Sequence, residues 1–184
     1  GSHYDTVING GAYDGILGVV CGLETVRALR DAGIRPRRSL QIIAFNDEEG
    51  VRFKRGFSGS LALIGQLSEA ELDSVKDTNG ISQADLMRQQ GFAPQQITTV
   101  QRKAEEVCAY LELHIEQGPV LDQVGLDIGV VTAIVGTTRY FVEISGQADH
   151  AGTTPMSMRR DALAAAAAVI ARVPGYAGLA DPNG

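Results

Sequence analysis

A chain of 184 residues with 44% apolar content carries hydrophobic material for one domain, or for one domain and part of another. Sixteen basic against twenty-two acidic residues leave a net charge of −6, and no Lys/Arg stripe interleaves with aromatics, which argues against a nucleic-acid binder. The longest apolar stretch, residues 162–170, falls well short of the roughly 20 that a membrane span needs, and no signal peptide opens the chain, so a cytoplasmic location is expected.

Residues 15–32 set Ile16, Val19, Val20, Leu23 and Val26 at helical spacing and stop at Gly33, which predicts an amphipathic helix. Cys21 on it and Cys108 far downstream belong to no C-x-x-C pair, so both are expected as buried thiols, in neither a zinc knuckle nor a disulfide. Arg35, Arg37 and Arg38 form the densest basic patch and read as a solvated turn. Residues 39–46 (SLQIIAFN) read as a buried strand. Helix and strand together predict part of a mostly parallel sheet, with Asp47-Glu48-Glu49 just past the strand's carboxyl end, where open α/β sheets bind ligands.

A short helix follows at 58–65, then capping-box spacing in Ser68-Glu69-Ala70-Glu71, then a helix at 82–90 that stops at Gly91. Residues 94–106 form a polar connector, and 107–115 (VCAYLELHI) read as a strand that delivers His114 at its end. After Asp127 the texture changes. Residues 128–135 are extended, 140–145 alternate like an antiparallel strand, and 156–173 form an alanine-rich helix. The expected fold class is α/β: a catalytic domain over 1–131 on a mostly parallel sheet, followed over 132–184 by the truncated start of an α+β unit.

The three histidines all lie in short polar clusters. His3 stands beside Asp5, a carboxylate able to orient the ring of a metal-binding imidazole, although Gly1-Ser2-His3 alone also reads as a remnant of tag cleavage. Asp14 sits where the first helix begins, the place of a ligand or of an N-cap. Three adjacent carboxylates, Asp47, Glu48 and Glu49, are usually a solvated turn. At a strand end they repel one another unless a cation sits among them, and one can then ligate while its neighbour takes a proton from water. His114 ends a strand, and Asp149-His150-Ala151-Gly152-Thr153-Thr154 combines a histidine with small hydroxylic residues suited to an oxyanion, or a Thr154 helix cap. Imidazoles and carboxylates so spaced suit a pair of divalent metals and point to metal-assisted hydrolysis.

Taken in order, GSHYDT, NGGAYDG, FNDEEGVRF, LELHIEQGP and ADHAGTTPMSMRRDA resemble the dinuclear-zinc M20 family, and within it the branch of allantoate amidohydrolases and N-carbamoyl-L-amino-acid hydrolases, the hydantoinase/carbamoylase group. The resemblance implies His3 and His114 as ligands of a first metal, Asp14 as the bridging carboxylate and Glu49 as a ligand of the second metal. It further implies Glu48 as general base, Asp5 as the partner of His3, Gln117 near the substrate, and His150 as a catalytic, substrate-reaching residue of a lid that also serves dimerisation. The implied cofactors are two divalent ions, zinc or else manganese or cobalt. The implied partners are a small ureido or carbamoyl substrate and a second copy of the chain, with no nucleic acid and no membrane. With no fourth histidine the second metal lacks a ligand here, so the chain is expected to be a fragment, inactive alone. An M20 amino- or carboxypeptidase and a non-catalytic homologue are the rival readings.

Overall fold

The computed structural model of the protein describes residues 1–180. The chain divides into two compact units, Gly1–Gly129 and a second beginning at Val130. In the first, strand β1 (Ser2–His3) leads to helix α1 (Ile16–Asp31), strand β2 (Ala44–Phe45) and helices α2 (Ser58–Leu63), α3 (Glu69–Ser74), α4 (Gln83–Gln89) and α5 (Val120–Val124). Among the described residues the sheet has two strands, β1 and β2, paired in parallel with Ser2 opposite Ala44 and His3 opposite Phe45.

Local signals in the chain set the helix ends. Gly15 precedes α1 at φ 69°, and a Cβ there would strike the His3 ring, so the residue must lack one on both counts. The Ser68 hydroxyl accepts from the Glu71 amide at 3.3 Å and the Glu71 carboxylate accepts from the Ser68 amide at 2.8 Å, the reciprocal box expected from the spacing. Ser82 caps α4 through the Asp85 amide at 3.0 Å. Helices α2, α3 and α4, with the 3-10 stretch Pro94–Val100, enclose an apolar core of Ala62, Leu67, Leu72 and Ala84, against which Leu61, Met87 and Ile97 pack.

The strands are far shorter than the apolar runs suggested. Only Ala44–Phe45 of 39–46 pairs, and none of 107–115 is a strand, although the Gly1 nitrogen donates to the Leu111 carbonyl at 3.0 Å and Ser2 Oγ to Glu112 at 2.6 Å. The architecture is therefore helix-rich with few strands, rather than a broad parallel sheet. A strand exists through its ladder, and beyond Ala44–Phe45 these segments have none among the described residues. For the same reason α1 buries Val19 while Val20 and Leu23 on its apolar face stay exposed. Cys108 is exposed and Cys21 intermediate, against the expectation of two buried thiols, because the 107–115 segment is not sandwiched in a sheet.

Residues 128–135, which straddle the boundary of the two units, and residues 140–145 carry no strand, and Ile134 is 89% exposed. The expected helix over 156–173 is broken into a 3-10 turn (Met156–Met158), α6 (Ala162–Ile170) and α7 (Val173–Ala180). Asp161 starts α6 by accepting from the Ala164 amide at 3.0 Å. Pro174 has no N–H for the Ile170 carbonyl, and in a continuous helix its ring would crowd that oxygen, so α6 ends at Ile170 and α7 begins anew at Val173. No helix of the described residues is long and apolar enough to cross a membrane.

Candidate metal centre

β1 carries His3 into the interior, where 4% of it is exposed, and the turn before α1 buries Asp14 to the same degree. The segment after Glu112, which has no regular structure, brings His114 alongside. One atom from each of these three residues lies within 4.8 Å of the other two. His3 Nε2 and His114 Nε2 are 3.3 Å apart, and Asp14 Oδ1 lies 3.5 Å from His114 Nε2 and 4.0 Å from His3 Nε2.

The outer ring nitrogens decide what this convergence means. His3 Nδ1 lies 2.7 Å from the Asp5 carbonyl oxygen and His114 Nδ1 lies 2.9 Å from the Ile115 carbonyl oxygen. Only a protonated Nδ1 can satisfy a carbonyl, so whenever either ring is neutral its proton is outward and its Nε2 is bare. Two lone pairs and a carboxylate oxygen then face one another with no hydrogen to share, an arrangement that repels unless a cation stands between them. Two ligands on one zinc at tetrahedral angles lie roughly 3.3 Å apart, and the imidazole pair matches that spacing. The donor set fits a divalent metal.

The carboxylates of the acidic run point to three different places. Asp47, at φ 55°, accepts from Ser58 Oγ at 2.7 Å and from Gln83 Nε2 at 3.1 Å. Glu48 accepts from Ser60 Oγ. Glu49 Oε1 lies 3.9 Å from His3 Nε2, beside the three-donor group. The turn is pinned by the start of α2: the amides of Phe57, Ser58 and Gly59 donate to the carbonyls of Glu48, Asp47 and Asn46 at 3.0, 3.2 and 3.1 Å. Gly56 allows this approach, since a Cβ there would press on the Glu48 carbonyl. Burial raises the Glu48 carboxyl above its usual range, with Ser60 and His3 pulling it back and Asp5 and Glu112 adding to the rise. Burial likewise raises Asp47, against the pull of its bond from Ser58.

Asp5 meets His3 differently from the expectation. Its backbone carbonyl holds the ring, while its carboxylate sits 3.8 Å from His3 Nδ1 and accepts the amides of Glu48 and Glu49 at 3.1 and 3.0 Å. One carboxylate thus ties the His3 loop to the acidic turn. Asp5→Asn, which replaces one acceptor by an N–H, is expected to cost about 1–3 kcal/mol in urea unfolding of the full-length protein; an unchanged midpoint would count against the clasp.

Gln117, at φ 58°, donates through Nε2 to Asp14 Oδ1 at 3.1 Å, so its amide orients the buried carboxylate. His150 belongs to the second unit and is exposed; its Nδ1 accepts from the amides of Gly152 and Thr153 at 3.0 and 3.2 Å, which leaves the proton on Nε2 as an outward donor. Thr154 caps nothing: Pro155 precedes the 3-10 turn and no side chain closes it. Sequence reasoning passed over Ser58, Ser60 and Gln83. The available signal was two hydroxyls at alternate positions of GFSGS, close behind the acidic run.

The family model for peptidase family M20/M25/M40 matches residues 1–183. The chain belongs to this family. It is 47% identical over 170 residues to the N-carbamoyl-L-amino acid amidohydrolase of Geobacillus stearothermophilus, covering 92% of this chain and 41% of the relative. Identity to the allantoate deiminase of Arabidopsis thaliana is 44% over 174 residues, covering 92% and 33%. The crystal structure of an amidase of the hydantoinase/carbamoylase family from Burkholderia phymatum superposes with a TM-score of 0.78 at 38% identity, covering 97% of this chain and 43% of that one. The chain therefore spans less than half the length of these relatives, and the M20 hydrolase fold is the frame in which the His3–Asp14–His114 group lies.

Proposed function

We propose that the whole protein hydrolyses the C–N bond of a ureido or carbamoyl group, in an N-carbamoyl-L-amino acid or allantoate, with release of ammonia. The observation that carries this reading is the convergence of two proton-free imidazole nitrogens and a buried carboxylate, with Glu48 and Glu49 on the adjoining turn. The substrate class rests on the relatives, which bear the names of a carbamoyl-amino-acid amidohydrolase and an allantoate deiminase.

His3, Asp14 and His114 would hold one divalent ion and Glu49, sharing Asp14, a second; zinc, manganese and cobalt all suit imidazole and carboxylate donors. Such ions supply Lewis acidity, lowering the pKa of water and polarising a carbonyl. Glu48 takes the proton of the attacking water and returns it to the departing nitrogen. Gln117 holds the Asp14 carboxylate in place. His150, with Nε2–H free to donate, serves the developing oxyanion. The second unit is the start of a lid that carries homodimerisation, and the two free thiols agree with a cytoplasmic enzyme.

Ammonia release by the full-length protein with zinc, manganese or cobalt, measured on N-carbamoyl-L-amino acids, allantoate and a dipeptide panel, tests the reading. Turnover of a ureido substrate is expected; turnover of dipeptides alone overturns it.

A further inference from the structure

We propose that Ser60 is a positioning residue that holds Glu48 through both halves of its proton transfer; the inference rests on Glu48 being the base. Ser60 Oγ lies 3.2 and 3.0 Å from the two oxygens of Glu48 and 3.1 Å from the Phe57 carbonyl oxygen one helical turn back. A serine hydroxyl has one proton and two lone pairs, and here it has two acceptors to choose between. Facing a bare Glu48 carboxylate, the hydroxyl donates to it. When Glu48 carries the proton taken from water, the carboxylic acid donates to Ser60 Oγ and the hydroxyl turns to the Phe57 carbonyl, a bond that residues of this type commonly make to the preceding turn. Both states keep Glu48 hydrogen-bonded in one place.

The backbone makes this arrangement stiff. Ser60 sits in the first turn of α2, whose leading amides pin the carbonyls of residues 46–48, so hydroxyl and carboxylate ride on two segments locked to each other. An alanine at 60 would leave the carboxylate free to swing, with no loss of buried apolar packing.

In the full-length protein loaded with zinc, Ser60→Ala is expected to lower kcat for an N-carbamoyl-L-amino acid by about tenfold or more, with KM within about twofold and with zinc content and unfolding midpoint unchanged. Ser60→Thr, which keeps the hydroxyl, is expected within about threefold of the parent. In the Glu48→Gln background, adding Ser60→Ala is expected to change kcat by less than about twofold, because nothing remains to be positioned. A further tenfold loss there, or an equal loss in the alanine and threonine variants, overturns the proposal. A loss in Glu48→Gln with Ser60→Ala at parental kcat overturns it while sparing the base; full turnover in Glu48→Gln removes both.

Discussion

Glu48→Gln in the full-length protein is expected to reduce kcat by about 10²- to 10⁴-fold while its metal content stays that of the parent, because general-base transfer contributes on that scale and the substitution keeps the shape of the side chain. The direction follows from the division within the acidic run. Asp47 is engaged by Ser58 and Gln83 and Glu49 lies 3.9 Å from His3 Nε2, which leaves Glu48, bonded to Ser60, as the carboxylate of the run for which the base role is proposed. Burial already pushes it above the ordinary carboxylate range, which suits a group that must accept a proton and release it again. Turnover within about twofold of the parent would take the base role away from Glu48. A fall in bound metal alongside the loss would recast it as a ligand.

Asp14→Ala is expected to weaken metal binding by more than about 100-fold, read by titration calorimetry or by metal retained after dialysis. Asp14 is the only anionic donor in the three-residue group, and its carboxylate is 6% exposed, so water is poorly placed to substitute for it. Its removal leaves two imidazole lone pairs 3.3 Å apart as the whole donor set, with Gln117 losing its acceptor. Undiminished, tight binding of zinc to Asp14→Ala would move the metal site elsewhere.

Much of the centre was legible along the chain because each donor arrives with its own local punctuation. His114 ends an apolar run, His3 stands in a polar cluster two residues before Asp5, and Asp14 opens a helix beside a glycine at φ 69°. The structure brings these three together as the motifs suggested. The geometry around them was less legible. The Asp5 carboxylate, 3.8 Å from the His3 ring, also reaches the amides of Glu48 and Glu49, 43 and 44 residues away, and Gln117 turns to a carboxylate 103 residues distant. Ser60 meets Glu48 only because α2 folds back on the acidic turn.

The same contrast runs through the fold. Capping at Ser68, Ser82 and Asp161, and the stops at Gly33 and Gly91, need only the three or four residues beside them, so the amino-acid order settles them without help from the rest of the chain. Strand length obeys a different physics. A strand's hydrogen bonds lie in another segment, and the apolar runs at 39–46 and 107–115 state a preference for extension without saying which partner will meet them. Three-dimensional packing alone chose Ala44–Phe45 for pairing with Ser2–His3, and by that choice set His3 beside the acidic turn. Residue types and spacings thus pointed to three residues that converge as candidate donors, while long-range contacts assigned each carboxylate its partner, because hydrogen bonds across dozens of residues depend on the path of the backbone and leave no periodic trace in composition.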